Sequence, residues 1–149
     1  MEFTIGKMAK YVGISPASIR YYESIGLLPS PIRTSSGYRK YSLRDLERVR
    51  FIKNAQRLGF SLSEIGYFLY LSDLEQKRDN SENLCSSVQK EVRKKISELE
   101  EKIERLQELK KSLEAMLEKC TSSTTSTCPI LAALGEGSRA ETETKEAKK

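Results

Sequence analysis

Three cysteines and no histidine set the chemistry open to this chain. Without His, the commonest general base and the commonest nitrogen ligand for metals are both missing. Cys85, Cys120 and Cys128 carry what reactivity remains. No Cys-x-x-Cys pair, phosphate-binding glycine loop or metal-hydrolase motif accompanies them, which argues against an enzyme. The N-terminal stretch lacks the apolar core of a signal peptide, and no apolar run reaches the ~18 residues of a membrane span. A cytoplasmic protein with no membrane partner is expected. In that compartment the cysteines read as thiols or metal ligands rather than as a disulfide framework.

The elements that place these thiols come next. From Ser81 to Lys119 the sequence predicts one uninterrupted helix, with Ser81 as N-cap and Glu82 at the positive end of the helix dipole. Val92, Ile96, Leu99, Ile103, Leu106, Leu113 and Leu117 step alternately by four and three, broken only at Lys110. That spacing is a coiled-coil seam, narrower than the stripe of a helix packed in its own domain. One helix cannot bury its own seam, so a homodimer is expected. Cys85 lies in the first turns, and Cys120 follows the predicted end, 35 residues on. A continuous helix holds them roughly 50 Å apart, so they cannot meet within one chain. In an antiparallel pair, Cys85 of one chain would come beside Cys120 of the other. Cys128, eight residues further across a small polar loop, would make three thiols at each end of the dimer. Cys85, near a helix start, is expected to have a lowered pKa.

Hydrophobic residues make up 38% of the chain and charged residues 32%, a balance that suits a small core with an exposed charged helix. Residues 1–72 hold 11 Lys/Arg against five Asp/Glu, whereas the remainder is close to neutral. The positive excess in the N-terminal half is the footprint of a nucleic-acid-binding domain.

That half reads as a short β-prone piece, then a helix from about Ile5 that buries Met8, Ala9 and Val12 and stops at Gly13. Ser15 as N-cap and Pro16 at the first helical position begin a second helix, to about Ser24. Two short helices around a tight turn form a helix-turn-helix. Ser15, Ser18, Arg20, Tyr21 and Tyr22 fall near the exposed side of the second, where Arg can pair with guanine and hydroxyls with phosphate or base edges. A helical hairpin with an ordinary polar face would read the same way. Residues 31–41 form a hairpin around Ser35-Ser36-Gly37. Its Arg33, Tyr38, Arg39 and Lys40 make a basic wing suited to the DNA backbone, though a solvated charged turn fits as well. A third helix starts at Ser42, whose spacing to Asp45 resembles a capping box. Leu46, Val49, Phe51, Ile52, Ala55 and Leu58 continue its apolar face. A fourth helix is capped by Ser61 or Ser63 and reaches about Leu71. The expected division is a domain over 1–72, a polar connector over 73–80, the long helix over 81–119, a loop and short helix over 120–134, and a disordered tail over 135–149.

Several runs in order then carry a resemblance: Ile5-Gly6-Lys7-Met8-Ala9, Ser18-Ile19-Arg20-Tyr21-Tyr22-Glu23, Gly26-Leu27-Leu28, Gly37-Tyr38-Arg39-Lys40-Tyr41, Phe51-Ile52, and Leu58-Gly59-Phe60-Ser61-Leu62 with Glu64-Ile65. Over roughly residues 3–134 the chain resembles the MerR family of bacterial transcription regulators. The resemblance implies a mainly α fold: a winged helix-turn-helix DNA-binding domain, a long antiparallel coiled-coil dimerisation helix and a C-terminal metal-binding loop. It implies a homodimer that binds double-stranded promoter DNA between elements spaced too far apart for productive use. An effector then bends and untwists that DNA, with RNA polymerase already able to occupy the promoter. Ser15, Ser18, Arg20, Tyr21, Arg33, Tyr38, Arg39 and Lys40 are the expected DNA-binding residues.

The cysteines resemble the metal-sensing branch, with Cys85, Cys120 and Cys128 as ligands. Sensors of divalent metals carry Cys at the start of the dimerisation helix, where sensors of monovalent copper, silver or gold carry Ser. The mercury sensors share all three cysteines. Two features depart from that pattern: the Cys120–Cys128 loop is one residue shorter than is usual in mercury sensors, and the His and second Cys of the zinc sensors are missing. Zinc favours four ligands, whereas mercury and lead accept three sulfurs. Hg(II) is the favoured effector, with Pb(II), Cd(II) or Zn(II) as alternatives. A thiol redox regulator on the same scaffold is a competing class. A drug-binding member would need a larger C-terminal domain than the residues after Cys120 supply.

Overall fold

The computed structural model describes residues 1–77, 81–122 and 126–136, without the side chains of residues 81, 82 and 122. The expected Ser81 cap, the role of Glu82, the end of the connector and the tail from 137 lie outside the described residues. The chain divides into two units, Met1–Lys95 and Ile96–Lys149. The element order is β1 (Glu2–Phe3), α1 (Ile5–Val12), α2 (Pro16–Ser24), β2 (Ile32–Arg33), β3 (Arg39–Ser42), α3 (Leu43–Arg57), α4 (Leu62–Gln76) and α5 (Ser81–Ser122).

In the first unit, small polar side chains start α1, α2, α3 and α4. Thr4, Ser15, Ser42 and Ser61 accept the backbone N–H three residues on, and Asp45 and Glu64 complete reciprocal capping boxes. Gly13 ends α1 in the left-handed region at φ 72°, where a side chain would be strained. Lys53 of α3 reaches over this end and donates to the carbonyl oxygens of Val12 and Gly13, placing a cation at the negative pole of α1.

The sheet has the order β1-β3-β2, and all its pairs are antiparallel. Phe3 lies opposite Tyr41, and Arg33 opposite Arg39. The expected hairpin therefore forms, and the β-prone N-terminus joins it as a third strand. Met8, Ile19, Leu28, Tyr41, Val49, Ile52 and Ile65 are the most deeply buried side chains. They come from α1, α2, α3, α4, β3 and the segment after α2, so the core fixes the helix-turn-helix to the wing and to both following helices.

Three differences from the sequence reading have physical causes. Tyr22, expected near the exposed side of α2, is buried at 5% exposure. It sits three residues after buried Ile19, on the same face, and its hydroxyl donates to Gln56 Oε1 at 2.8 Å. The fourth helix runs on to Gln76 rather than stopping near Leu71, because α3 holds its last turn. Arg48 donates to both Asp73 oxygens at 3.0 Å, and Arg44 donates to Gln76 at 2.9 Å. Leu58, expected to continue the apolar face of α3, is 67% exposed as the C-cap of that helix.

The start of α5 belongs to this unit. Lys95 pairs with Glu64 at 3.1 Å and lies over the Phe60 ring at 5.5 Å. In the second unit α5 continues, and residues 129–136 form a short helix that extends two residues beyond the expected end at 134.

Glu64 gives a pH test of this architecture. The Ser61 backbone N–H, and then the Lys95 ammonium, hold its carboxyl below its ordinary pKa of 4.5. A depressed carboxylate contributes stability that is complete above the unfolded pKa and is lost as pH falls through the folded one. Thermal unfolding from pH 6 downward is expected to show the melting temperature dropping below about pH 4.5. In Glu64→Gln it is expected to start lower and fall less steeply.

Candidate nucleic-acid interface and thiol site

The second helix of the motif owes its position to its cap. Ser15 Oγ accepts the Ser18 N–H at 3.1 Å and lies 2.9 Å from Ser18 Oγ. Both serines, predicted as DNA contacts, are thus first of all the start of α2. Arg20 is exposed, and Tyr21 is 53% exposed on the outer face of the helix. Ile19 and Tyr22 anchor the opposite face in the core.

The wing is a tight hairpin. Thr34 N–H donates to Tyr38 O at 2.9 Å, and Gly37 N–H donates to Thr34 O at 2.8 Å. Thr34 Oγ1 accepts the Tyr38 N–H at 3.0 Å. Arg33 reaches the Gly37 carbonyl from Nη1 at 3.4 Å, and Tyr38 is 73% exposed at the tip. Lys40 pairs with Glu2 at 2.5 Å and holds that carboxyl below its ordinary pKa. Arg39 donates from Nε to Glu23 Oε2 at 3.2 Å, and the Tyr41 hydroxyl donates to Glu23 Oε1. Burial, and then the Glu23 carboxylate, push the Tyr41 phenol well above its ordinary pKa, so it remains a donor. The predicted residues thus fall into two groups. Arg20, Tyr21, Arg33 and Tyr38 face outward, while Arg39 and Lys40 are held by acidic partners. Glu23 stands in one of the runs that carry the resemblance but had no role in the sequence reading, because its partners lie 16 and 18 residues away on another element.

Cys85, Cys120 and Cys128 are free thiols, and all three are exposed. Cys128 stands at the start of the short helix, where its carbonyl accepts the Ala132 N–H at 3.2 Å. The backbone N–H groups of Leu131 and Ile130 donate to its sulfur and, with a hydrogen bond to Cys120, hold its pKa below the ordinary thiol value. Pro129, at the first helical position, leaves that approach open. The structure therefore brings Cys120 and Cys128 together in the second unit. Cys85 belongs to the first unit, beside Leu84 and Val88, and its sulfur receives Gln89 Nε2 at 3.6 Å. Among the described residues of one chain, no three His, Cys, Asp or Glu side chains converge. Among them, no helix is long and apolar enough to cross a membrane.

Comparison with known proteins agrees with this geometry. Residues 3–70 match the family described as MerR HTH family regulatory protein, and residues 46–116 match MerR, DNA binding. The chain is 36% identical over 135 residues to the mercuric resistance operon regulatory protein of Bacillus cereus, covering 90% of this chain and 98% of that protein. The crystal structure of the transcription regulator PbrR691 from Ralstonia metallidurans CH34 in complex with lead(II) superposes with a TM-score of 0.73 at 29% identity. It covers 89% of this chain and 98% of its own. The dual function transcriptional regulator MerR from Bacillus megaterium MB1, in complex with mercury(II), superposes with a TM-score of 0.67 at 32% identity and the same coverage. With its winged helix-turn-helix, long helix and paired thiols accounted for, the chain belongs to the MerR family of HTH regulatory proteins and is a transcription regulator, not an enzyme.

Proposed function

We propose that this protein is a cytoplasmic, metal-responsive regulator that binds promoter DNA as a homodimer and responds to a soft divalent ion, with Hg(II) favoured. The observation that carries the reading is the pairing of Cys120 with Cys128, whose sulfur is already biased toward thiolate by two backbone N–H groups. Thiolate, not thiol, is the metal-binding form. Two such donors leave a soft ion short of ligands, and Cys85 of a second copy is the donor the long helix would bring. The seam supports that second copy: Val92, Ile96, Leu99, Ile103, Leu106, Leu113 and Leu117 are 38% to 64% exposed in the single chain. Each such side chain gains about 1.5–3 kcal/mol on full burial.

The donor set fits a soft ion. Three thiolates satisfy Hg(II) or Pb(II), whereas Zn(II) favours a fourth ligand and the sequence has no His to give one. Relatives described as a mercuric resistance regulator and as a lead(II) complex support both soft ions. When bound, the ion would tie the two copies together through sulfur. The chain's own residues would hold Cys128 as thiolate and keep Cys85 at the edge of an apolar groove lined by Phe51, Phe68, Leu71, Leu84 and Val88. On the DNA side, Arg20 and Tyr21 would read the major groove, while Arg33 and Tyr38 would follow the backbone. RNA polymerase at the promoter is the remaining partner. The adjacency of Cys120 and Cys128 also favours a second reading, a thiol switch that closes a disulfide under oxidant.

A metal titration separates these readings. The reduced protein is titrated with Hg(II), Pb(II), Cd(II) and Zn(II) against a competing small thiol and followed by sulfur-to-metal absorption. Hg(II) is expected to bind most tightly, and Cys85→Ser, Cys120→Ser and Cys128→Ser are each expected to lose the competitive site. Competition by none of the ions, with transcription that responds to oxidant alone, would leave the thiol switch. For the DNA face, Arg20→Ala is expected to erase most of the preference for a selected operator over mixed-sequence DNA. One bidentate base contact is worth about 1–3 kcal/mol. An unchanged ratio in a binding assay would remove Arg20 from base reading.

A further inference from the structure

One carboxylate joins the recognition helix to the wing. Glu23, near the end of α2, accepts Arg39 Nε–H on one oxygen and the Tyr41 hydroxyl on the other. Arg39 and Tyr41 alternate with Lys40 along β3, so they share one face of the strand while Lys40 turns to Glu2. The cluster is enclosed: the Glu23 side chain is 12% exposed, that of Arg39 33%, and Tyr41 1%. Arg20 lies one turn before Glu23 on the same helix, and its charge is felt at Tyr41. Two arginines, one from each DNA-facing element, therefore act on Tyr41, and one of them is held by Glu23.

A guanidinium paired with a carboxylate is already neutralised. While it stays on Glu23 it neutralises no phosphate and so displaces no cation from the DNA, and leaving Glu23 would strand a nearly buried charge. The planar fork of Arg, held from one edge, also fixes the direction of the strand that carries it. We propose that Glu23 is a positioning residue for DNA recognition: it withdraws Arg39 from phosphate contact and, with Tyr41, sets the angle between the wing and α2 so that Arg20 and Arg33 meet DNA in one register. Arg39 acts through Glu23 and not on the phosphate backbone. This inference rests on the DNA-binding reading above.

The test is operator binding by the full-length protein, followed by fluorescence anisotropy across a salt series. Two duplexes of equal length are used, one selected by the wild-type protein from a randomised pool and one of mixed sequence. Arg33→Gln serves as the reference for a phosphate contact and is expected to reduce the salt slope by about 0.9. Arg39→Gln is expected to keep the wild-type slope while affinity for the selected duplex falls about tenfold, with little change on mixed sequence. Glu23→Gln is expected to lose the same affinity for the selected duplex while its slope rises by up to about 0.9, because Arg39 is released to phosphate. The double variant is expected to return to the wild-type slope and to be no weaker on that duplex than either single one. If Glu23→Gln does not fold, Arg39→Lys takes its place. It keeps the charge but not the fork, and is expected to lose affinity as Arg39→Gln does. A slope reduced in Arg39→Gln as in Arg33→Gln, additive losses in the double variant, or near-native affinity in Arg39→Lys would each overturn the proposal. Absence of salt-dependent binding by the wild-type protein to either duplex would instead remove the DNA-binding reading itself.

Discussion

An apolar seam that one chain cannot cover is the constraint on which the rest depends. The leucines and isoleucines of α5 repeat at coiled-coil spacing, and in the single chain they stand exposed. Their burial needs another helix of like pattern. The charged residues between seam positions leave the other faces of the helix to water.

The N-terminal unit answers a different requirement, that of presenting cations without losing its shape. Its positive excess is only partly at the surface. Arg48 and Lys53 act inside, one on Asp73 and the Leu27 carbonyl, the other on the end of α1. Arg39 is taken up by Glu23, and Lys40 by Glu2. Net charge from composition therefore overstates what faces outward, because several basic side chains serve as caps and struts.

Local signals were the legible part of the sequence. Ser42 with Asp45 announces a helix start by spacing alone, and of the two caps open for the fourth helix Ser61 takes the role with Glu64; both boxes form. The hairpin around Ser35-Ser36-Gly37 and the helix start at Ser15-Pro16 follow from turn and cap chemistry in the same way. What could not be read depends on partners distant in sequence. The pairing of Phe3 with Tyr41 needs a strand from the far side of the helix-turn-helix. Tyr22 reads as a surface tyrosine until Gln56 is placed beside it. The last turn of α4 looks like a polar connector until Arg48 and Arg44 are seen to hold it. In the thiol site, the residue types and their order were visible. The hydrogen bonding that distinguishes Cys128 was not, since it comes from backbone N–H groups that exist only once residues 129–136 are helical.

The bonds from α3 to the two helices before it carry a mechanical consequence. Lys53 clamps the end of α1, and Gln56, three residues on, holds Tyr22 of α2. The turn between those helices is thus spanned by a brace from a third element, and the angle between them has no soft hinge. Bending at Gly13 would require breaking the bonds from Lys53 or Gln56. The two helices and their brace thus form one block, tied at Val12 and at Tyr22 by neighbouring turns of the same helix.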